Sequence, residues 1–143
     1  MAVNKRPLSM RDGTIIINGE VVGNATKYDV TFSPDVWAGR TLGEKGTNRR
    51  WIGFDITGNI ETWKMNNRYK KYAEDYKKSG VTPELTITGT VDDTNSDYYD
   101  LIGQKDKLTL VGVVLTGDIP LIQLDIDSDA AKEAVTFGAK DWN

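Results

Sequence analysis

Two acidic runs look first like metal sites. Asp125-Ile126-Asp127-Ser128-Asp129 opens with oxygen donors at alternate positions, as a calcium loop does. Such a loop needs glycine at its sixth position and glutamate at its twelfth, where this chain has Ala130 and Thr136. Asp93-Thr94-Asn95-Ser96-Asp97 fails at the same places, with Tyr98 and Gln104. Both runs read as solvated acidic turns. Gly39–Thr47 holds glycines and Lys45, but without the spacing or the strand-to-helix setting of a phosphate loop. Asp55 and Glu61 could in principle hydrolyse a glycoside as a carboxylate pair. Carboxylates alternating along one strand are far more often a wet surface. The chain has no histidine and no cysteine. That removes the commonest general base and metal ligand, thiolate sites and disulfides. No nucleophile stands beside a base at motif spacing. The expectation is a non-enzyme without cofactor or metal.

The remaining chemistry is that of contact. Trp37 lies near Arg40, and Arg49-Arg50 precede Trp51. Tryptophan and arginine are enriched where proteins touch partners. The plainer alternative is that these tryptophans, with Trp63 and Trp142, cap the core. Leu42 and Lys45 lie in the same stretch as Trp37. The net charge of −3 speaks against gripping nucleic acid through phosphates. A single-strand binder of the OB type needs a basic aromatic groove, which this acidic balance opposes. Asn24-Ala25-Thr26 is a glycosylation triplet that matters only in a secreted protein. Met1–Asp12 is polar and carries Lys5, Arg6 and Arg11. It lacks the apolar run of a secretory signal, and no stretch is long and apolar enough to span a membrane. A cytoplasmic location is the expectation.

These residues must be positioned by strands. With 143 residues, one domain is expected. Thr14–Ile17, Asn18-Gly19 and a return strand over Glu20–Phe32 predict a hairpin, with a bulge or bend at Gly23-Asn24. Ser33-Pro34-Asp35 is expected to end that strand, leaving 34–50 as a long loop. From Trp51 to Trp63, Ile52, Phe54, Ile56 and Ile60 alternate with Asp55, Thr57, Asn59 and Glu61. That is a strand about twice the usual length, with one buried and one wet face. Trp51 and Trp63 fall on the wet parity, which a bulge or a change of environment would reconcile. A helix is expected at about 67–79, docking through Tyr69, Tyr72, Ala73 and Tyr76. Strands follow at Glu84–Val91, Lys107–Thr116, Pro120–Asp127 and Glu133–Ala139. Pro120–Asp127 would turn Ile122, Leu124 and Ile126 inward, and Gln123, Asp125 and Asp127 outward. Tyr98–Ile102 reads equally as a helical turn or a short strand. The fold class is mainly β: an antiparallel β-barrel or β-sandwich of about 6–8 strands with one packed α-helix.

The order of these pieces carries a resemblance. A polar arm (1–12) precedes Gly13-Thr14-Ile15-Ile16-Ile17-Asn18-Gly19-Glu20-Val21-Val22. After it come the long loop, the strand Trp51-Ile52-Gly53-Phe54-Asp55-Ile56-Thr57-Gly58-Asn59-Ile60 and a helix opening Asn66-Asn67-Arg68. This resembles the tail tube proteins of contractile-tailed phages, phage-like elements and R-type bacteriocins of Gram-positive bacteria, over most of the chain. The type VI secretion tube is similar in its barrel plan.

The resemblance implies hexameric rings of the protein with itself, stacked into a tube inside a sheath. It implies baseplate and tape-measure partners, and a lumen that passes DNA without specific binding. It places the protein in a virion tail assembled in the host cytoplasm. Contacts between subunits or rings would involve Trp37, Arg40, Leu42, Lys45, Arg49, Arg50 and Trp51. Asp55, Asn59, Glu61, Gln123, Asp125 and Asp127 would face the lumen. The arm and the loop would be mobile until assembly. The rival expectation is a β-sandwich binding module stacking carbohydrate on Trp37 and Trp51.

Overall fold

The computed structural model describes residues 4–124 and 131–143. Its strands are β1 (Gly13–Ile17), β2 (Glu20–Val21), β3 (Ala25–Gly39), β4 (Asn48–Trp63), β5 (Leu85–Val91), β6 (Asp106–Leu115), β7 (Lys132–Ala139) and β8 (Asp141–Trp142). Its helices are α1 (Arg68–Ser79) and α2 (Asp97–Ile102). Asn18 and Gly19 both take positive φ, 50° and 85°, which makes the two-residue turn between β1 and β2. Among the described residues, no helix is long and apolar enough to cross a membrane.

The strands pair antiparallel in the order β2-β1-β5-β6-β7-β4-β3, with β8 on β6. The sheet folds over on itself at β6. Residues up to Val113 pair with β5 and β8, and Val114–Leu115 pair with β7. Gly112 has φ 63° at this corner, and a Cβ there would stand 2.9 Å from that of Lys140. Only glycine suits both demands. Ile17, Val22, Leu85, Ile87, Leu110 and Val113 meet Ile56, Ile60, Val135 and Phe137 in one core. Tyr28 stacks on Phe137 at 6.1 Å, and burial pushes its hydroxyl pKa up to about 12.

Helix α1 ends on Gly80, which adopts φ 73° while its N–H donates to the Tyr76 carbonyl. Its docking stripe is shorter than expected. Tyr69 is buried and Tyr72 packs on the core, but Tyr76 is exposed. Beneath the helix, the buried Glu133 carboxylate is 3.8 Å from Lys64 Nζ. Pairing of this kind is what keeps a carboxylate tolerable inside.

Three expectations are corrected. The strand does not end at Ser33-Pro34-Asp35: β3 runs on to Gly39, and Pro34 opposes Phe54. Proline is tolerated because β3 is an edge strand, where one side of the ladder needs no donor. The expected loop at 34–50 is therefore mostly strand, and only Arg40–Thr47 turns. Pro120–Leu124 forms no strand, and Ile122 and Leu124 are exposed rather than inward. The rest of that predicted strand, with Asp125 and Asp127, lies outside the described residues.

The arm, expected to be mobile, is tethered from Arg6 to Asp12. Arg6 pairs with Asp97 at 3.0 Å and Asp100 at 2.6 Å. The Ser9 N–H donates to Asp93 at 3.1 Å. The acidic run 93–97 thus has a structural task. Its Ser96 hydroxyl also caps α2 by accepting from the Tyr99 N–H.

Candidate assembly surface

β3 and β4 contain 15 and 16 residues and pair from Ala25↔Thr62 to Gly39↔Asn48. At about 3.3 Å per residue the hairpin is roughly 50 Å long. The core covers only its base. Ile56, Gly58, Ile60 and Thr62 are buried, alternating with Thr57, Asn59 and Glu61. From Asn48 to Asp55 no residue is buried. The sequence alternation continues here, but among the described residues no second layer buries it.

Cross-strand partners share a face, so the register sorts the projecting residues. Phe32 opposes Ile56 and Pro34 opposes Phe54, all on the side of the core. Asp35 opposes Gly53 and Val36 opposes Trp51, which leaves Ile52 as the extra residue of a β-bulge. The bulge moves Trp51 off the parity of Asp55 and onto the side of Phe54. Phe32 accordingly lies 5.6 Å from Trp51, 5.4 Å from Phe54 and 5.6 Å from Trp142 of β8. This aromatic cluster is open to solvent, with Trp51 66% and Phe54 48% exposed. A group of exposed rings of this kind marks an interaction surface.

The other face is polar. Its rows read Lys27–Glu61–Ala134, Asp29–Asn59–Thr136, Thr31–Thr57–Gly138, Ser33–Asp55 and Asp35–Gly53. Asn59 Nδ2 donates to Asp29 at 3.2 Å. Glu61 has Lys27 opposite it and Lys132 at 3.8 Å. Asp29, Asp35 and Asp55 have no base opposite them, so the middle of this face is acidic.

The turn at 40–47 is organised by one carboxylate. Glu44 accepts from the Thr41 N–H and hydroxyl and from Asn48 Nδ2. These bonds, the Thr41 hydroxyl first, hold its pKa below the ordinary carboxylate value. Arg40 Nε donates to the Thr47 hydroxyl at 2.9 Å. The loop expected to be loose is thus braced.

The expected contact residues do gather at this end of the hairpin, but not on one surface. Trp37 and Arg50 oppose each other on the polar face. Arg49, opposite Ala38, shares the side of Val36 and Trp51. Arg40, Leu42 and Lys45 occupy the turn, with Leu42 fully exposed. Asp55, Asn59 and Glu61 line the polar face as expected. Gln123 is exposed in the segment after β6 and belongs to no strand of this face. Phe32, Phe54 and Trp142 were missed as surface residues. The first two follow core periodicity, and Trp142 offers no local signal at all.

A family model described as phage tail tube protein matches residues 3–143. The chain belongs to the phage tail tube family. This tail tube protein is similar in fold to the PVC sheath–tube complex of an extracellular contractile injection system, with TM-score 0.67 and 13% identity over 96% of this chain and 90% of that one. It is similar to the PVC sheath/tube terminator at TM-score 0.72 and 13% identity, over 99% and 98% of the two chains. The tube-terminating cap of the anti-feeding prophage matches at TM-score 0.69 and 14% identity, over 100% and 93%. No curated protein matches. At such identities the shared property is the fold.

Proposed function

We propose that this tail tube protein is a non-enzymatic structural subunit that assembles with itself into hexameric rings, stacked as the tube of a contractile tail. The observation that carries this reading is the hairpin. Its projecting half buries nothing in the monomer, its β3 edge is open, and one side bears a solvent-exposed aromatic cluster. An open strand edge with apolar flanks is completed by another strand. A surface that meets a different surface of its copy builds rings and filaments.

In this reading the polar face of β3, β4 and β7 lines the lumen. Asp29, Asp35, Asp55 and Asn59 would present like charge and polar groups to a passing DNA or protein, limiting adhesion. The braced turn, with Arg40, Leu42 and Lys45, would reach a neighbouring ring, as would the N-terminal arm. Sheath, baseplate and tape-measure partners belong to the same proposal; the likeness in fold to chains of a sheath–tube complex, a terminator and a cap supports a place in such a tail. Assembly in a host cytoplasm into a virion-type tail belongs to the same proposal. The carbohydrate-binding alternative loses its platform, because Trp37 and Trp51 lie on opposite faces of the hairpin.

Negative-stain electron microscopy of the purified protein at high concentration, alone and with tail partners, is the test. Rings and tubes are expected. Dispersed particles under every condition would overturn the proposal.

A further inference from the structure

The polar face of the hairpin changes character at one row. From the row of Asp29 and Asn59 to the row of Asp35 and Gly53, its side chains are acidic or small and polar. The next row on that face is Trp37 with Arg50, aromatic and basic. The change falls where the ladder is interrupted. Gly53 opposes Asp35 and Trp51 opposes Val36, so Ile52 has no partner of its own. On the polar side of this break the Asp35 carboxylate lies across the Gly53 backbone, where a Cβ would stand 2.9 Å from Asp35 Oδ2.

The apolar side shows which way the chain turns. An extra residue bends the strand that carries it and increases its twist. Val36, which opposes Trp51, lies four residues beyond Phe32, a separation of roughly 13 Å on a flat strand. Yet the Trp51 and Phe32 ring centroids are 5.6 Å apart. Phe32 and Phe54 also reach Trp142 of β8, outside the hairpin, at 5.6 and 6.1 Å. The hairpin thus curls toward its apolar side, with the aromatic cluster in the hollow and the polar face on the outside of the bend.

We infer that the one-residue bulge at Ile52 positions the hairpin tip for assembly. It turns the tip toward the apolar side, so that the polar face lines the lumen only as far as Asp35. Beyond that row, Trp37 and Arg50, with Arg40, Leu42 and Lys45 of the turn, are carried out of the channel wall to the next ring. This use of the bend rests on the tube reading; the bend itself does not. A basic, aromatic row inside an acidic channel would hold a passing chain, whereas turned outward it suits contact with another copy. The Ile52 side chain is not what the device needs. It is 66% exposed, and removing the residue leaves Val36 opposite Trp51 and Trp37 opposite Arg50, each on its present face. What disappears is the bend.

Two variants separate the bend from the side chain. Deletion of Ile52 makes the ladder regular, whereas Ile52→Thr keeps the extra residue and its β-branched shape. Neither should move the unfolding midpoint much, because no residue from Asn48 to Asp55 is buried. The chain has no cysteine, so spin labels at Leu42→Cys and Lys27→Cys, both exposed, report the tip-to-base distance alone. In dispersed protein that distance should lengthen by several ångström on deletion of Ile52 and stay as it is with Ile52→Thr. Electron micrographs are then taken of unlabelled protein at about ten times the lowest concentration that gives wild-type tubes. The deletion should show no tubes there, and Ile52→Thr should show them. An unchanged label distance in the deletion variant would overturn the bend. Normal tubes from the deletion, or tubes lost equally with Ile52→Thr, would overturn its role in assembly. Wild-type protein that never assembles would overturn the tube reading and with it this use of the bend, while the label distances still decide the bend itself.

Discussion

The two halves of β4 obey one pattern and meet two fates. Ile56, Gly58, Ile60 and Thr62 alternate with polar residues and are buried under the opposite layer. Ile52 and Phe54 continue the apolar pattern beyond that layer and stay in water. The chemistry of the strand does not change at residue 55; what changes is whether anything lies across from it. The base of the hairpin stabilises the monomer. The projecting half is available to stabilise something larger, and the bulge at Ile52 adds Trp51 to its apolar side.

Substitutions in the two halves should therefore separate folding from assembly. The largest effect belongs to the base. Phe137→Ala removes a fully buried ring and should cost about 3–5 kcal/mol of stability by denaturant titration. A loss near 1 kcal/mol would show that the core collapses around the gap. Gly58→Val comes next, because a Cβ at Gly58 would lie 2.5 Å from Phe137 and collide with the Asp29 carbonyl. It should destabilise by about 1–3 kcal/mol, read from the unfolding midpoint. In the projecting half, Trp51→Ala should change monomer stability by less than about 1 kcal/mol yet abolish tubes in electron micrographs. A large stability loss there would dissolve the distinction.

The smallest effect concerns the turn. Glu44 has a lowered pKa, so the order it confers is present above the ordinary carboxylate value of 4.5 and is lost as pH falls through its own, lower one. Protection of the Thr41 amide, relative to its intrinsic exchange rate at each pH, should fall over that acidic range while the midpoint of global unfolding barely registers the event. Glu44→Ala should show the fast exchange at neutral pH.

Much of this was legible in the sequence because it depends on local periodicity. The Asn18-Gly19 turn, the long β4, α1 over 68–79 and the β5, β6 and β7 strands follow from alternation, caps and turn residues. Asp55 and Asn59 of the polar face follow from the same alternation, whereas Asp35 reads as part of a strand stop. What was hidden depends on where the second layer stops. Phe32 and Phe54 look like core residues until the fold shows that, among the described residues, they meet only the other rings of an exposed cluster and no buried layer. Pro34 looks like a strand stop unless β3 is known to be an edge. Pro120–Leu124 looks like a strand, and only the fold shows its backbone irregular and its side chains exposed. Arg6 gave no sign that it would pair with Asp97 and Asp100, since more than ninety positions separate them.

Hydrogen exchange on assembled and dispersed protein tests the central distinction most directly. Amides of 31–39 and 48–54 should gain strong protection on assembly, while those of 56–62, already in the core, should change little. Unchanged exchange at 31–39 and 48–54 in protein that has formed tubes would contradict the account.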